Sequence, residues 1–428
     1  MPLSNELSIR WTNDRDSDWT GGQYSLFRAL FGLFLFSHFV ALIPWGGELF
    51  SHRGALANGA ASPLLYLFPN ILALSDPPWL VAALLLTASS AAIFFALGAW
   101  DRAAAIVQWY VLACLFGRNP LTANPSLPFV GWMLLAHVCL PKAPFGSLAA
   151  RNRLDPRGGW RMPQAIYHAA WIVMALSYSY SGYTKLISPS WVDGSALSRI
   201  LDNPLARPTL LRELLLALPP IFLQLATWGG LALESLYAPL ALFRRLRPWL
   251  WLLMVMMHMG LIALIDFADL TLGMLLLHGF TFDPAWIAPK SIDRRATVFY
   301  DGHCGLCHGF VRFILAEDRL GGGNIFFSPL QGEHFGASVP LGQRAGLPDS
   351  VVVQTGAGRL LVRSAAVVEI LQRLGGVWRL IGFVAAILPR NLLDGCYDLV
   401  ARLRLRLFTP PAASCPLLPP DLQERFEP

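Results

Sequence analysis

Residues 296–328 read ATVFYDGHCGLCHGFVRFILAEDRLGGGNIFFS, and their pattern sets the architecture expected for the last third of the chain. Ala296–Asp301 is a short β-branched and aromatic run, which is what a buried strand requires. It is followed by GHCGLC and then by an amphipathic segment that predicts a helix over Leu306–Leu320, ended by Gly321–Gly323. Asn324–Ser328 reads as a second strand. Further on, Ser350–Gln354 and Arg359–Arg363 flank Thr355-Gly356-Ala357-Gly358 as a hairpin, and Ser364 is expected to cap a helix over Ala365–Leu374. The order β-α-β-α-β-β-α predicts an α/β thioredoxin-like domain over residues 296–428, with the remaining helices as extensions.

The position of the CxxC pair matters more than its presence. Cys304 falls where a strand passes into a helix, and the unpaired N–H groups and dipole at a helix N-terminus favour a thiolate there. Cys304 is therefore expected to attack, and Cys307, one turn on and on the same face, to resolve the mixed disulfide. Asp301 either accepts a thiol proton or caps the turn. A thioredoxin places a cis-proline directly before the strand facing its active site, whereas here Asp349 separates Pro348 from Ser350. A zinc site would need two more ligands from His303, His308, Cys396 or Cys415. No second CxxC supplies them, so redox chemistry is preferred and no metal is assigned.

Outward from this stretch the composition changes. The 428-residue chain is 55% hydrophobic and 14% charged, against roughly 25% charged in a soluble domain. Its apolar residues cluster between positions 24 and 283. Spanning a bilayer takes about twenty apolar helical residues. Segments 24–43, 79–99, 103–117, 127–141, 165–184, 221–243, 249–265 and 268–282 meet or approach that length, which predicts an α-helical polytopic membrane bundle of about eight spans. Leu64–Leu74 and Leu210–Leu218 are read as re-entrant or interfacial pieces. The expected domains are a polar segment over 1–23, a transmembrane domain over 24–290 and the α/β domain over 296–428.

Net charge is +6, and its excess lies beside the apolar runs, where it reflects topology and lipid contact and argues against nucleic acid as a partner. With eight spans, the arginine-richer loops fall on the side of both termini, which places the CxxC domain in the cytoplasm of a multi-pass protein of the bacterial inner (plasma) membrane. An odd span count reverses that side. The Arg402, Arg404 and Arg406 series is read as a basic foot on anionic headgroups.

Ionisable residues inside apolar runs are costly and so are candidate sites. Lys185 ends YSYSGYTK, Glu234 lies within GGLALESLYAPL, and His258 lies within LLMVMMHMGLIAL. The plain alternatives are a snorkelling Lys185, a Glu234 paired to an arginine such as Arg28, and an interhelical hydrogen bond for His258.

Two resemblances follow from quoted residues. TVFYDGHCGLC, RSAAVVEILQRLGGVWRL, LPRNLLDGCYDLVARLRLRLF and a late Cys-Pro pair at Cys415 resemble the DCC family of thiol-disulfide oxidoreductases. That resemblance implies Asp301, Cys304 and Cys307 as the signature. YSYSGYTKLISPSWVDGSAL with the later HMGLIALIDFADLTLGMLLLHGFTFDPAW resembles the HTTM module of vitamin K-dependent gamma-carboxylases. It implies that Lys185 stands where the carboxylase base stands. The carboxylase Asn-Asn-His stretch is absent, since the comparable region reads Ala123-Asn124-Pro125-Ser126, so glutamate carboxylation is not expected.

The expected function is a membrane-anchored thiol-disulfide oxidoreductase, working as a reductase or relay on protein or small-molecule thiols and disulfides. No cofactor is assigned, while a quinone or lipid in the membrane part stays open and membrane lipids are expected partners. Two other readings stand beside it: a carboxylase-like enzyme using Lys185 on a lipidic substrate, and a non-enzymatic membrane receptor or assembly factor whose cysteines bind metal.

Overall fold

A computed structural model describes residues 19–122, 124–266, 268–290, 295–320, 323–407 and 418–427. The polar N-terminal stretch up to residue 18 and Cys415 lie outside the described residues. The chain divides into two compact units. One holds Phe27–Leu140 and Pro163–Phe282. The other gathers the segment ending at Leu26, Pro141–Met162 and everything from Asp283 onward. The sequence boundaries were drawn linearly, whereas the second unit takes in two short segments from far upstream.

In the helical unit each of the eight expected segments forms helix, but fewer of them have the length and apolarity of a span. Among the described residues three helices are both long and apolar enough to cross a membrane: Gly21–Leu42, Pro78–Leu97 and Arg247–Leu264. The others fail for physical reasons. Leu127–Cys139 has 13 residues, about 20 Å of helix against a hydrocarbon core of about 30 Å. Asp101–Arg118 carries Asp101, Arg102 and Arg118 at its ends, and Gln164–Lys185 is diluted by tyrosines, serines and His168. Leu210–Leu216 and Pro220–Ser235 meet at 107° across Pro219, because the residue before a proline avoids the helical region. With that pair and a second bent pair, Gly376–Ile387 and Arg390–Arg404, each counted as one span, the total reaches five.

Small residues bring helices together in this unit. A methyl group on Gly32 would sit 2.6 Å from the Ala96 Cβ, and one on Gly182 would meet the Ser235 backbone. Glycine at these points permits contact that any side chain would prevent. Buried charges are paired: Arg118 donates to Asp76 at 2.7 Å, and Asp101 lies 3.5 Å from His137 and 3.7 Å from Arg28.

The second unit is built on a four-stranded mixed sheet of order β2-β1-β3-β4. Its strands are β1 (Ala296–Tyr300), β2 (Ile325–Pro329), β3 (Val352–Thr355) and β4 (Leu360–Val362). β1 pairs parallel to β2, with Val298 opposite Phe327, and antiparallel to β3, with Val298 opposite Val353. β1 is buried throughout because both sheet faces are covered. Alternation sends Val298 and Tyr300 into a core with Val311, Ile314, Ile370 and Leu374, and Phe299 to the other side against Phe335, Val339 and Val352. Each such side chain contributes about 1.5–3 kcal/mol when fully buried.

The helices of this unit are Gly305–Glu317, Arg363–Leu374, Gly376–Ile387 and Arg390–Leu407, besides shorter pieces. β4 runs into the next helix without a loop, at Arg363, whose φ is 52°. Ser364 therefore lies inside the first turn rather than capping it, and its hydroxyl donates to Asp394 at 2.5 Å.

Candidate active site

β1 ends at Tyr300, and the four residues Asp301–Cys304 turn the chain into the Gly305–Glu317 helix. Asp301 shapes this turn. Its Oδ1 accepts from the His303 N–H at 3.0 Å and from Gln331 Nε2 at 3.1 Å, while Gln331 Oε1 accepts from the Gly302 N–H at 3.2 Å. His308, one turn into the helix, is buried and bonds the Gly302 carbonyl at 2.9 Å. Of the two roles weighed for Asp301, the turn cap is the one these contacts describe.

Cys304 is the N-cap residue, and its sulfur accepts the Cys307 N–H at 3.4 Å. The pair thus stands at the strand-to-helix junction as expected. Accessibility runs against the expected roles, however: Cys304 is 1% exposed, whereas Cys307 is only partly buried. The Cys307 thiol is pushed up to about 12, first by burial and then by its hydrogen bond to Cys304, so it is protonated at neutral pH.

Arg404 was read as part of a surface foot, and the structure corrects this. Arg404 is buried, and its Nη2 donates to both Asp349 oxygens at 2.7 and 2.9 Å and lies 3.6 Å from Asp301. It also interacts electrostatically with both cysteines. Arg402 and Arg406 are exposed. Seven residues before Arg404, two turns along the same helix face, the Tyr397 hydroxyl accepts the Val351 N–H at 2.9 Å. The segment DGCYDLVARLR thus anchors the terminal helix on the sheet and delivers a cation to the cysteine pair. Its spacing of Asp394, Tyr397 and Arg404 was the available signal.

Cys307 opens onto an apolar groove of about 370 Å³, whose walls include Phe310, Leu371 and Val400, with Cys396 and Arg404 also lining it. This groove was not foreseen, because it arises where four helices meet beside the sheet. Among the described residues no group of three or more His, Cys, Asp or Glu side chains gathers as a metal site.

The other candidates lie in the helical unit. Lys185 Nζ pairs with Glu234 Oε2 and sits 4.6 Å from the Trp191 ring centre. Glu234 is thus paired, but with Lys185 rather than Arg28. His258 is held separately: the Tyr178 hydroxyl bonds His258 Nε2 at 2.7 Å and His278 Nε2 at 2.8 Å. A hydroxyl between two imidazoles donates to one and accepts from the other. Tyr178 and His278 were missed because neither is charged and nothing in sequence separates them from aromatic packing.

Sheet, turn and cysteine pair define a dithiol domain closed by an arginine-bearing helix. Residues 298–410 match the model of the DCC1-like thiol-disulfide oxidoreductase family. The uncharacterized protein YuxK of Bacillus subtilis is 33% identical over 143 residues, 32% of this chain and 98% of that protein. A chloroplast DCC family protein of Arabidopsis thaliana is 32% identical over 119 residues, 27% of this chain and 66% of its own length. No solved structure matches. Through this domain the chain belongs to the DCC1-like thiol-disulfide oxidoreductase family.

Proposed function

We propose that the chain is a membrane-anchored thiol-disulfide oxidoreductase whose Cys304–Cys307 pair cycles between dithiol and disulfide on a thioredoxin-like domain. The observation that carries this is the cap: the Cys304 sulfur takes a backbone N–H at the N-terminus of the helix that also bears Cys307. Negative charge is best accommodated at that place on a helix. Cys304 is the sulfur that holds charge during exchange, and Cys307 is the one that carries the proton. Arg404, between Asp349, Asp301 and the pair, stabilises the charged state as a positioning residue.

The three long apolar helices support insertion in the plasma membrane, and the likeness of residues 20–290 to the carboxylase module leaves a lipid or quinone as the companion of that unit. The Lys185–Glu234 pair favours a structural role, since the carboxylate already occupies the ammonium. The test is redox titration of the full-length chain in detergent, quenched by alkylation and read by peptide mass spectrometry. Cys304 and Cys307 should gain label together, as one two-electron step. Independent labelling at all potentials would remove the exchange function.

A further inference from the structure

The groove beside the pair has features of a substrate site that the exchange reading does not itself specify. It is walled by aliphatic and aromatic side chains, and its volume of about 370 Å³ lies within the range of small-molecule pockets. It contains one cation, Arg404, whose buried Nε has no hydrogen-bond partner among the described residues. A buried donor left open is costly and favours a ligand that brings an acceptor. Of the two sulfurs only Cys307 lines the groove, while Cys304 is sealed behind it at 1% exposure.

We propose that this groove binds a small aliphatic dithiol of the dihydrolipoyl type, its chain along the apolar walls and its amide or carboxylate oxygen toward Arg404, and that the substrate bonds first to Cys307. The inference rests on the exchange function above. A polar thiol such as glutathione would desolvate several charges against these walls, of which Arg404 could pair only one.

The chemistry balances as two steps. A ligand thiolate attacks the Cys307 sulfur of the Cys304–Cys307 disulfide; that bond breaks, a ligand–Cys307 disulfide forms, and Cys304 leaves as the thiolate at the helix N-terminus. The second ligand thiol then attacks the ligand sulfur, closing the cyclic disulfide and releasing Cys307, which takes up that thiol's proton. The ligand is oxidised by two electrons and the pair is reduced by two. Cys307 is attacked in the first step and leaves as the thiol in the second.

The full-length chain in detergent, with the pair oxidised, is mixed with dihydrolipoamide, dithiothreitol or glutathione, and reduction is followed by quenched alkylation. Dihydrolipoamide should react about tenfold faster than dithiothreitol, and Val367→Trp, which fills the groove, should bring that ratio near one. Equal rates in the unaltered chain, or an unchanged ratio in Val367→Trp, would overturn the groove as a substrate site. Failure of every thiol to reduce the pair would instead sink the exchange function.

Should Val367→Trp not fold, protection of Cys396 supplies the test. Octanamide, which has the chain but no sulfur, should slow maleimide labelling of Cys396 in the unaltered chain several-fold. No protection, or protection only by a decyl quinone, refutes the proposal. Octanethiol, lacking a second thiol, should leave its adduct on Cys307; an adduct on Cys304 refutes the order of attack.

Discussion

The cysteine site and the Lys185 cluster both place polar groups among apolar side chains, yet they differ in what those groups face. In the helical unit Lys185 and Glu234 satisfy each other, and Tyr178 satisfies one nitrogen of each of two histidines. In the α/β unit the polar groups organise a turn and leave a sulfur facing a groove. Desolvation alone therefore does not make a site. Access to a reacting atom does, and only the second region offers it beside a thiol.

Removing a sulfur tests the contrast most severely. Cys304→Ser should lower disulfide exchange roughly a thousandfold, while Lys185→Met leaves it within about twofold, as read by insulin or lipoamide turnover. Equal losses in the two variants would erase the distinction between the regions.

Stability should show the reverse order. Lys185→Met strands the buried Glu234 carboxylate and should cost about 3 kcal/mol in thermal unfolding of the helical unit. Lys185→Met with Glu234→Gln should recover most of that. A stable single variant would mean that the pair does not brace its helices.

Arg404→Gln belongs to both categories, since it breaks the ion pair between the buried arginine and an exposed aspartate and removes the cation beside the sulfurs. A loss of about 1–3 kcal/mol is expected, because Asp349 is 81% exposed and water screens part of the pair. The exchange rate should fall as well, with a shifted pH profile that Arg404→Lys partly restores.

Two pH effects sharpen the picture. With its thiol near 12, Cys307 in the reduced chain should label with iodoacetamide about tenfold faster for each pH unit between 7 and 10, without a plateau. A plateau near pH 8 would contradict the environment described for it. Glu317 lies at the far end of the same helix, and burial raises its carboxyl above the usual range against donors from Thr20, Trp378 and Gly22. A raised folded-state value gives stability that is complete below the unfolded value and is lost as pH climbs through the folded one. The unaltered chain should therefore lose stability relative to Glu317→Gln as pH rises above the ordinary glutamate value of about 4. The effect is the smallest of these and is read from melting temperatures.

Much of the α/β unit was legible because its signals are local. The run at Ala296–Tyr300, the CxxC at a strand-to-helix junction and the glycine-rich hairpin each carry their own physics, and the strands lie within two residues of where they were expected. Ser364 was misjudged because its partner, Asp394, is thirty residues away. Arg404 was misjudged because an Arg-Leu alternation looks the same whether the arginine meets lipid or a buried aspartate. In the membrane-like unit the eight apolar segments were visible, but whether a segment is long enough depends on where helices break. Pro219 and the short Leu127–Cys139 helix reduced the total.

Glu317 has a further implication for how this protein is assembled. It accepts bonds from Thr20 and Gly22, and Arg319 beside it holds the Trp19 carbonyl, so this seat joins residues 297 positions apart in the chain. A single cleavage before Ala296 would leave Glu317 without a covalent link to Thr20 and Gly22. During synthesis Thr20 and Gly22 therefore wait for about three hundred further residues before the carboxylate that holds them exists.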